Sequence, residues 1–197
     1  MSSSLPMAAT QSDKSHSHTN HNLTGFIIFL CSESVIFLAF FSGYAILKTS
    51  ALDWLPPGVE GLEWRTPLLN TVVLIASSGT IMLAEQCKAR DRLWLFRGFW
   101  LLTMLMGGYF LIGQAIEWHG LAFGFTTGTF GGTFYLLTGF HGLHVATGIL
   151  LMTIMLIKSF IPGNYDGGEQ GVQATSLFWH FVDVIWIILF VLIYIWQ

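Results

Sequence analysis

The chain has 197 residues, of which 53% are hydrophobic and only 10% charged, with a formal net charge of −3. Soluble domains carry roughly 25% charged residues, so this composition excludes a water-facing globule, and the absence of a basic excess excludes a nucleic-acid surface. A membrane helix needs about 20 apolar residues, and the apolar runs take up so much of the chain that no separate soluble domain fits.

Residues 1–22 are polar and rich in Ser, Thr, His and Asn, with no apolar core behind a basic start. They read as an unstructured tail and not a signal peptide, which leaves 23–197 as the membrane domain. His16, His18 and His21 fall at the end of the tail. Histidine titrates near neutrality, so the three suit proton collection; a weak metal-binding tract and a plain solubilising tail are the other readings.

Five apolar runs follow, Leu23–Leu47, Pro67–Cys87, Trp94–Ile116, Phe130–Ile157 and Leu177–Trp196. Each is long enough to cross a bilayer as a helix, so the expected fold is an all-α, polytopic bundle. Pro and Gly mark the connections at Pro56–Gly58, Gly120–Gly128 and Pro162–Gly168. Gly124, Gly128 and Gly132 recur every fourth residue and read as a close-packing stripe. Cys31 and Cys87 lie in or at the ends of apolar runs, where they mark neither a disulfide framework nor a zinc site.

The positive-inside rule sets the expected orientation. Lys14, Lys88, Arg90, Arg92, Arg97 and Lys158 fall on one side, against Lys48 and Arg65 on the other. The N-terminus is therefore expected in the cytoplasm and the C-terminus outside. Trp64, Trp94, Trp118, Trp179 and Trp196 stand at or near run ends, as interfacial anchors or as lipid-facing bulk.

Ionisable groups inside spans are costly, at roughly 2.5 to 3.5 kcal/mol each at a helix centre, so each needs a reason. Glu33 lies in the first run, Glu117 at the end of the third, His141 and His144 in the fourth, and His180 and Asp183 in the fifth. The pairs His141/His144, His180/Asp183 and Gln114/Glu117 are spaced i, i+3, and Asn70 and Ser77 i, i+7, so each set shares a helix face. These seams either tie helices together by hydrogen bonds or handle protons. A haem between His141 and His180, or a metal on His141, His144 and Asp183, has suitable ligand types but no accompanying motif.

The segments GFHGLHVATG at Gly139–Gly148 and FWHFVDVIWIILF at Phe178–Phe190 resemble signature segments of the subunit III family of haem-copper respiratory oxidases. SESVIFLAFF at Ser32–Phe41, PLLNT at Pro67–Thr71 and QAIEW at Gln114–Trp118 add to the likeness in the same order. Longer members have seven helices, and this chain resembles the shorter, five-helix bacterial form, so lipid sites built on the first two helices do not carry over.

The resemblance implies a subunit without a catalytic residue, metal or cofactor of its own. Haem and copper are expected in subunits I and II, with this chain packed directly on subunit I, near subunit II and small subunits, stabilising the complex and aiding proton uptake. Glu33, Glu117, His141, His144, His180 and Asp183 become its intramembrane polar or proton-related positions. Lys158 stands where the family has a basic residue near a lipid phosphate, so a bound phospholipid is compatible, beside the reading as a solvated lysine. A bacterial cytoplasmic membrane or another respiratory membrane is the expected location. Glu33 favours the cytochrome c enzyme over a quinol oxidase, whose forms often have Asp there. A small proton-coupled transporter is the alternative of another class.

Overall fold

The computed structural model describes residues 9–56, 58, 59, 61–161 and 169–196, with side chains from residue 23 onward and that of Glu169 excepted. Among the described residues, five helices make up the fold: α1 (Ala9–Ser50), α2 (Arg65–Ala89), α3 (Leu93–Gly120), α4 (Gly128–Lys158) and α5 (Glu169–Phe190). A π-helical turn, Val191–Ile195, extends α5. The stretches Leu23–Ser50, Arg65–Ala89, Leu93–Gly120, Gly128–Lys158 and Gln170–Ile195 are long and apolar enough to cross a membrane. The expected all-helical, five-span architecture is thus present.

Two boundaries differ from the sequence reading. The backbone of α1 is helical from Ala9, inside the stretch read as an unstructured tail. No proline or glycine lies between Ala9 and Asn22, so nothing stops the helix growing back from its apolar part. α5 begins at Glu169, eight residues before Leu177. Its polar opening is helical because Val172, Thr175 and Ser176 are buried, and the Thr175 hydroxyl donates to the Gly171 carbonyl at 2.7 Å.

α2 and α3 form a tight antiparallel hairpin. Asp91 makes the turn at φ 55°, a left-handed conformation that Asp tolerates better than most residues. The Arg92 amide closes it on the Cys87 carbonyl at 2.9 Å. α5 packs against α1, α2 and α4, and α3 against α2 and α4. α5 is the most buried span and α1 the least.

Aromatic side chains fill the middle, and their polar atoms find hydroxyls. Trp100, Trp179 and Trp186 are fully buried. Trp179 Nε1 donates to Ser77 Oγ at 2.8 Å and Trp186 Nε1 to Thr71 Oγ1 at 2.8 Å, joining α5 to α2. Trp179 is therefore a core residue and no interfacial anchor; the early start of α5 moves it inward. Trp64, Trp94 and Trp196 are exposed near helix ends.

Close approach depends on glycines other than the expected stripe. A Cβ on Gly107 would meet the Trp179 ring at 2.5 Å, and one on Gly148 at 2.8 Å. Gly124 lies in the loop before α4 and Gly128 is its first residue, at φ 67°. Gly124 is therefore not on one helix with Gly128 and Gly132, and the three form no stripe.

Candidate functional site: the intramembrane polar seams

The polar residues of the spans gather into three groups. In the first, His144 on α4 reaches Glu33 on α1, Nε2 to Oε2 at 3.1 Å. His144 Nδ1 lies 2.8 Å from the Phe140 carbonyl. A carbonyl cannot donate, so Nδ1 carries a proton and the tautomer is fixed. A single proton then lies between Nε2 and the carboxyl, held either as Glu–COOH to neutral imidazole or as carboxylate to imidazolium. Rings flank the histidine: Phe140, Phe37 and Phe178 have centroids 4.7, 5.1 and 6.2 Å from that of His144.

In the second group, Ser78 on α2 bridges two residues of α5. Its Oγ lies 2.9 Å from His180 Nδ1 and donates to Asp183 Oδ2 in a short hydrogen bond. Asp183 is buried, and its Oδ1 has no hydrogen-bond partner among the described residues. His180 is half-buried.

The third group sits toward the other end of the bundle. Tyr194 of the π-helical turn donates to Glu117 Oε1 at 2.7 Å, and Gln114 Nε2 to its Oε2 at 3.2 Å. Both carboxyl oxygens are thus engaged, and the group locks the end of α3 to the end of the last span.

His141 belongs to none of them. It is fully buried, and neither ring nitrogen has a partner among the described residues. It packs against Trp186, with centroids 4.8 Å apart, and the edge of Phe110 at 5.6 Å. The set His141, His144 and Asp183 is therefore not assembled: each faces different neighbours. Among the described residues no three His, Cys, Asp or Glu side chains gather as metal ligands would. His180 is turned to Ser78 on α2, so it does not face His141 as a haem pair would require.

Lys158 is exposed at the end of α4. The basic group that engages that end is Arg97: its Nε donates to Ser159 Oγ at 3.1 Å, a second nitrogen to the Ser159 carbonyl, and its guanidinium lies 4.1 Å over the Phe160 ring. A cation there complements the negative end of the α4 dipole. The side chains of His16, His18 and His21 lie outside the described residues.

Sequence reasoning missed Ser78 and Tyr194. Tyr194 stands eleven residues after Asp183, three helical turns on, so periodicity places it on the same stripe. Ser78 adjoins Ser77, and only the position of α5 selects it as the bridge.

The family described as cytochrome c oxidase subunit III matches residues 7–197. The chain is 41% identical over 184 residues to cytochrome c oxidase subunit 3 of Thermostichus vulcanus, covering 93% of this chain and 91% of that one. It is 43% identical over 183 residues to the protein of the same name from a Synechocystis strain, covering 91% and 78%. The rabbit protein, from Oryctolagus cuniculus, is 36% identical over 178 residues, covering 87% of this chain and 68% of its own. A match over nearly the whole length, from cyanobacteria to a mammal, leaves one assignment: this chain belongs to the cytochrome c oxidase subunit III family.

Proposed function

We propose that the chain is a non-catalytic subunit that packs directly on subunit I of a cytochrome c oxidase, steadies it during turnover and supports its proton uptake. Haem and copper then belong to subunits I and II, subunit II and small subunits complete the complex, and the host is a bacterial cytoplasmic or other respiratory membrane. Residues 23–197 act as the membrane domain, with the N-terminus cytoplasmic, and 1–22 as a tail whose histidines collect protons. A bound phospholipid, with its phosphate at the exposed Lys158, completes this reading.

The observation that carries this reading is the Glu33–His144 pair. It ties the least buried span to the bundle through one shared proton at 3.1 Å, a contact suited to holding a subunit together in an apolar medium and to exchanging a proton. Glu33 with His144, Ser78 with His180 and Asp183, and Glu117 with Gln114 and Tyr194 each join two helices, which supports a role in holding the bundle together. The test is turnover: in the complex, Glu33→Ala should leave the initial oxygen-reduction rate near wild type and shorten the working life of the enzyme. Equal durability over many turnovers would contradict it. A complex without a dinuclear copper in subunit II would point instead to a quinol oxidase, and proton movement by the chain alone in vesicles to a transporter.

A further inference from the structure

The seam between α2 and α5 has a feature that subunit packing does not use. At the end of the bundle near the α2–α3 turn, Glu85, Gln86, Lys88, Ala89, Val172 and Gln173 line an open cleft of about 390 Å³. Glu85 is half-buried at this cleft, and the buried Ser176 stands one helical turn beyond Gln173 on α5. Gln173, Ser176, His180 and Asp183 follow at spacings of three or four residues along α5, which places them on one stripe. Glu85 and Ser78 are seven apart on α2 and share the facing stripe. The polar path from cleft to Asp183 spans ten residues of α5, about 15 Å at 1.5 Å per residue.

The inner end of the path has two proton arrangements. In one, a protonated His180 donates from Nδ1 to Ser78 Oγ, and Ser78 donates to the Asp183 carboxylate. In the other, the Asp183 carboxylic acid donates to Ser78 Oγ, and Ser78 donates to Nδ1 of a neutral His180. Passing from the first to the second, the Nδ1 proton moves to Ser78 Oγ while the Ser78 proton moves to Asp183 Oδ2. One imidazolium and one carboxylate become one imidazole and one acid, with total charge and proton count unchanged. A packing contact needs only a single hydroxyl; this one lies on the same stripe as the open cleft and ends on a carboxyl whose buried Oδ1 has no hydrogen-bond partner among the described residues.

Beyond Asp183 the stripe closes. Trp186, fully buried, gives its N–H to Thr71 and packs against the tilted ring of His141 and, edge to face, against Phe110. Of the other charged side chains and histidines described on the helices packed against α5, Lys48, Arg65, Lys88 and Lys158 stand at helix ends. Within the spans these are Glu33 on α1 and His141 and His144 on α4; Glu33 and His144 are engaged with each other.

We propose that the α2–α5 seam is a dead-end proton store, filled from the cleft at Glu85 and Gln173, in which Ser78 passes the proton between His180 and Asp183. This holds independently of any effect of the chain on oxidase turnover, because what it concerns is exchange of one carboxyl proton with bulk water.

Infrared difference spectra of the purified complex, wild type minus Asp183→Asn, isolate the Asp183 carboxyl mode. Stopped-flow transfer to D₂O then times its exchange. Expected are a mode that responds to bulk pH and shifts on exchange, slowing about tenfold or more in Ser78→Ala, a barrier rise of about 1.4 kcal/mol or more, with Ser78→Thr restoring the rate. Gln173→Trp, at an exposed position on the cleft mouth, should slow exchange similarly and serves as the test if Ser78→Ala does not assemble. An Asp183 mode insensitive to bulk pH, or exchange as fast in these variants as in wild type, would overturn the proposal.

Discussion

His144 on α4 and Glu33 on α1 share one proton across 3.1 Å, because the Phe140 carbonyl fixes the histidine tautomer from the other side. Removing one partner leaves the other partly buried without it, a loss of up to about 1–3 kcal/mol. Glu33→Gln keeps a donor that can face Nε2, whereas Glu33→Ala does not. We therefore expect the Gln variant to hold α1 in place and the Ala variant to loosen it, read as more rapid protease cleavage of the α1–α2 connection in the purified complex. Equal cleavage in both would mean that the shared proton does not secure α1.

Trp179 is seated on Gly107 and Gly148, so side chains at those positions must displace it. Gly107→Val should lower thermal stability by the equivalent of about 1–3 kcal/mol, the usual cost of overpacking. A Cβ on Gly108, next in sequence, would meet nothing within 4 Å, and Gly108→Val is the control, expected within about 0.5 to 1 kcal/mol of wild type once helix propensity is allowed for. Unfolding midpoints in one detergent compare the two, and equal midpoints would remove Trp179 as the keystone of the α3–α4–α5 contact.

Arg97 caps α4 through Ser159 and covers Phe160. Arg97→Ala removes a cation from a helix C-terminus, worth about 0.3–1 kcal/mol at exposed sites and up to about 2 when partly buried. Arg97→Lys keeps the charge but not the two-nitrogen contact and should recover part of the loss. Hydrogen exchange at the amides of the last turn of α4 measures both; unchanged protection in Arg97→Ala would show that the cap is dispensable.

Asp183→Leu removes the carboxyl that Ser78 donates to and leaves Ser78 and His180 against an apolar side chain. The expected result is weaker α2–α5 association and a smaller fraction of this chain retained with the complex during purification. Full retention would show that the seam contributes little to packing.

The five spans were legible because each is a continuous apolar run, and the interruptions are short. The start of α5 was not, since Glu169–Ser176 reads as polar and only burial of Val172, Thr175 and Ser176 against neighbouring helices keeps it helical. Spacing placed His141 and His144 on one helix face but grouped them too closely. Three residues turn a helix by about 300°, leaving the two side chains about 60° apart, enough to send one to Glu33 and the other to Trp186. His180 and Asp183 have the same spacing yet converge, because Ser78 lies between them. One helix's sequence gives its stripe; the partner across the gap depends on the register between helices, which no single span encodes.

The central claim is that the chain works as a supporting subunit of an oxidase. Its most direct measurement is the visible absorption spectrum of the material retained on an affinity tag placed on this chain in mild detergent. The account predicts a haem spectrum from a co-purifying larger subunit, lost when the complex is dissociated and this chain is isolated. A chain recovered in quantity with no haem absorbance, from a membrane in which the oxidase is present, would contradict it.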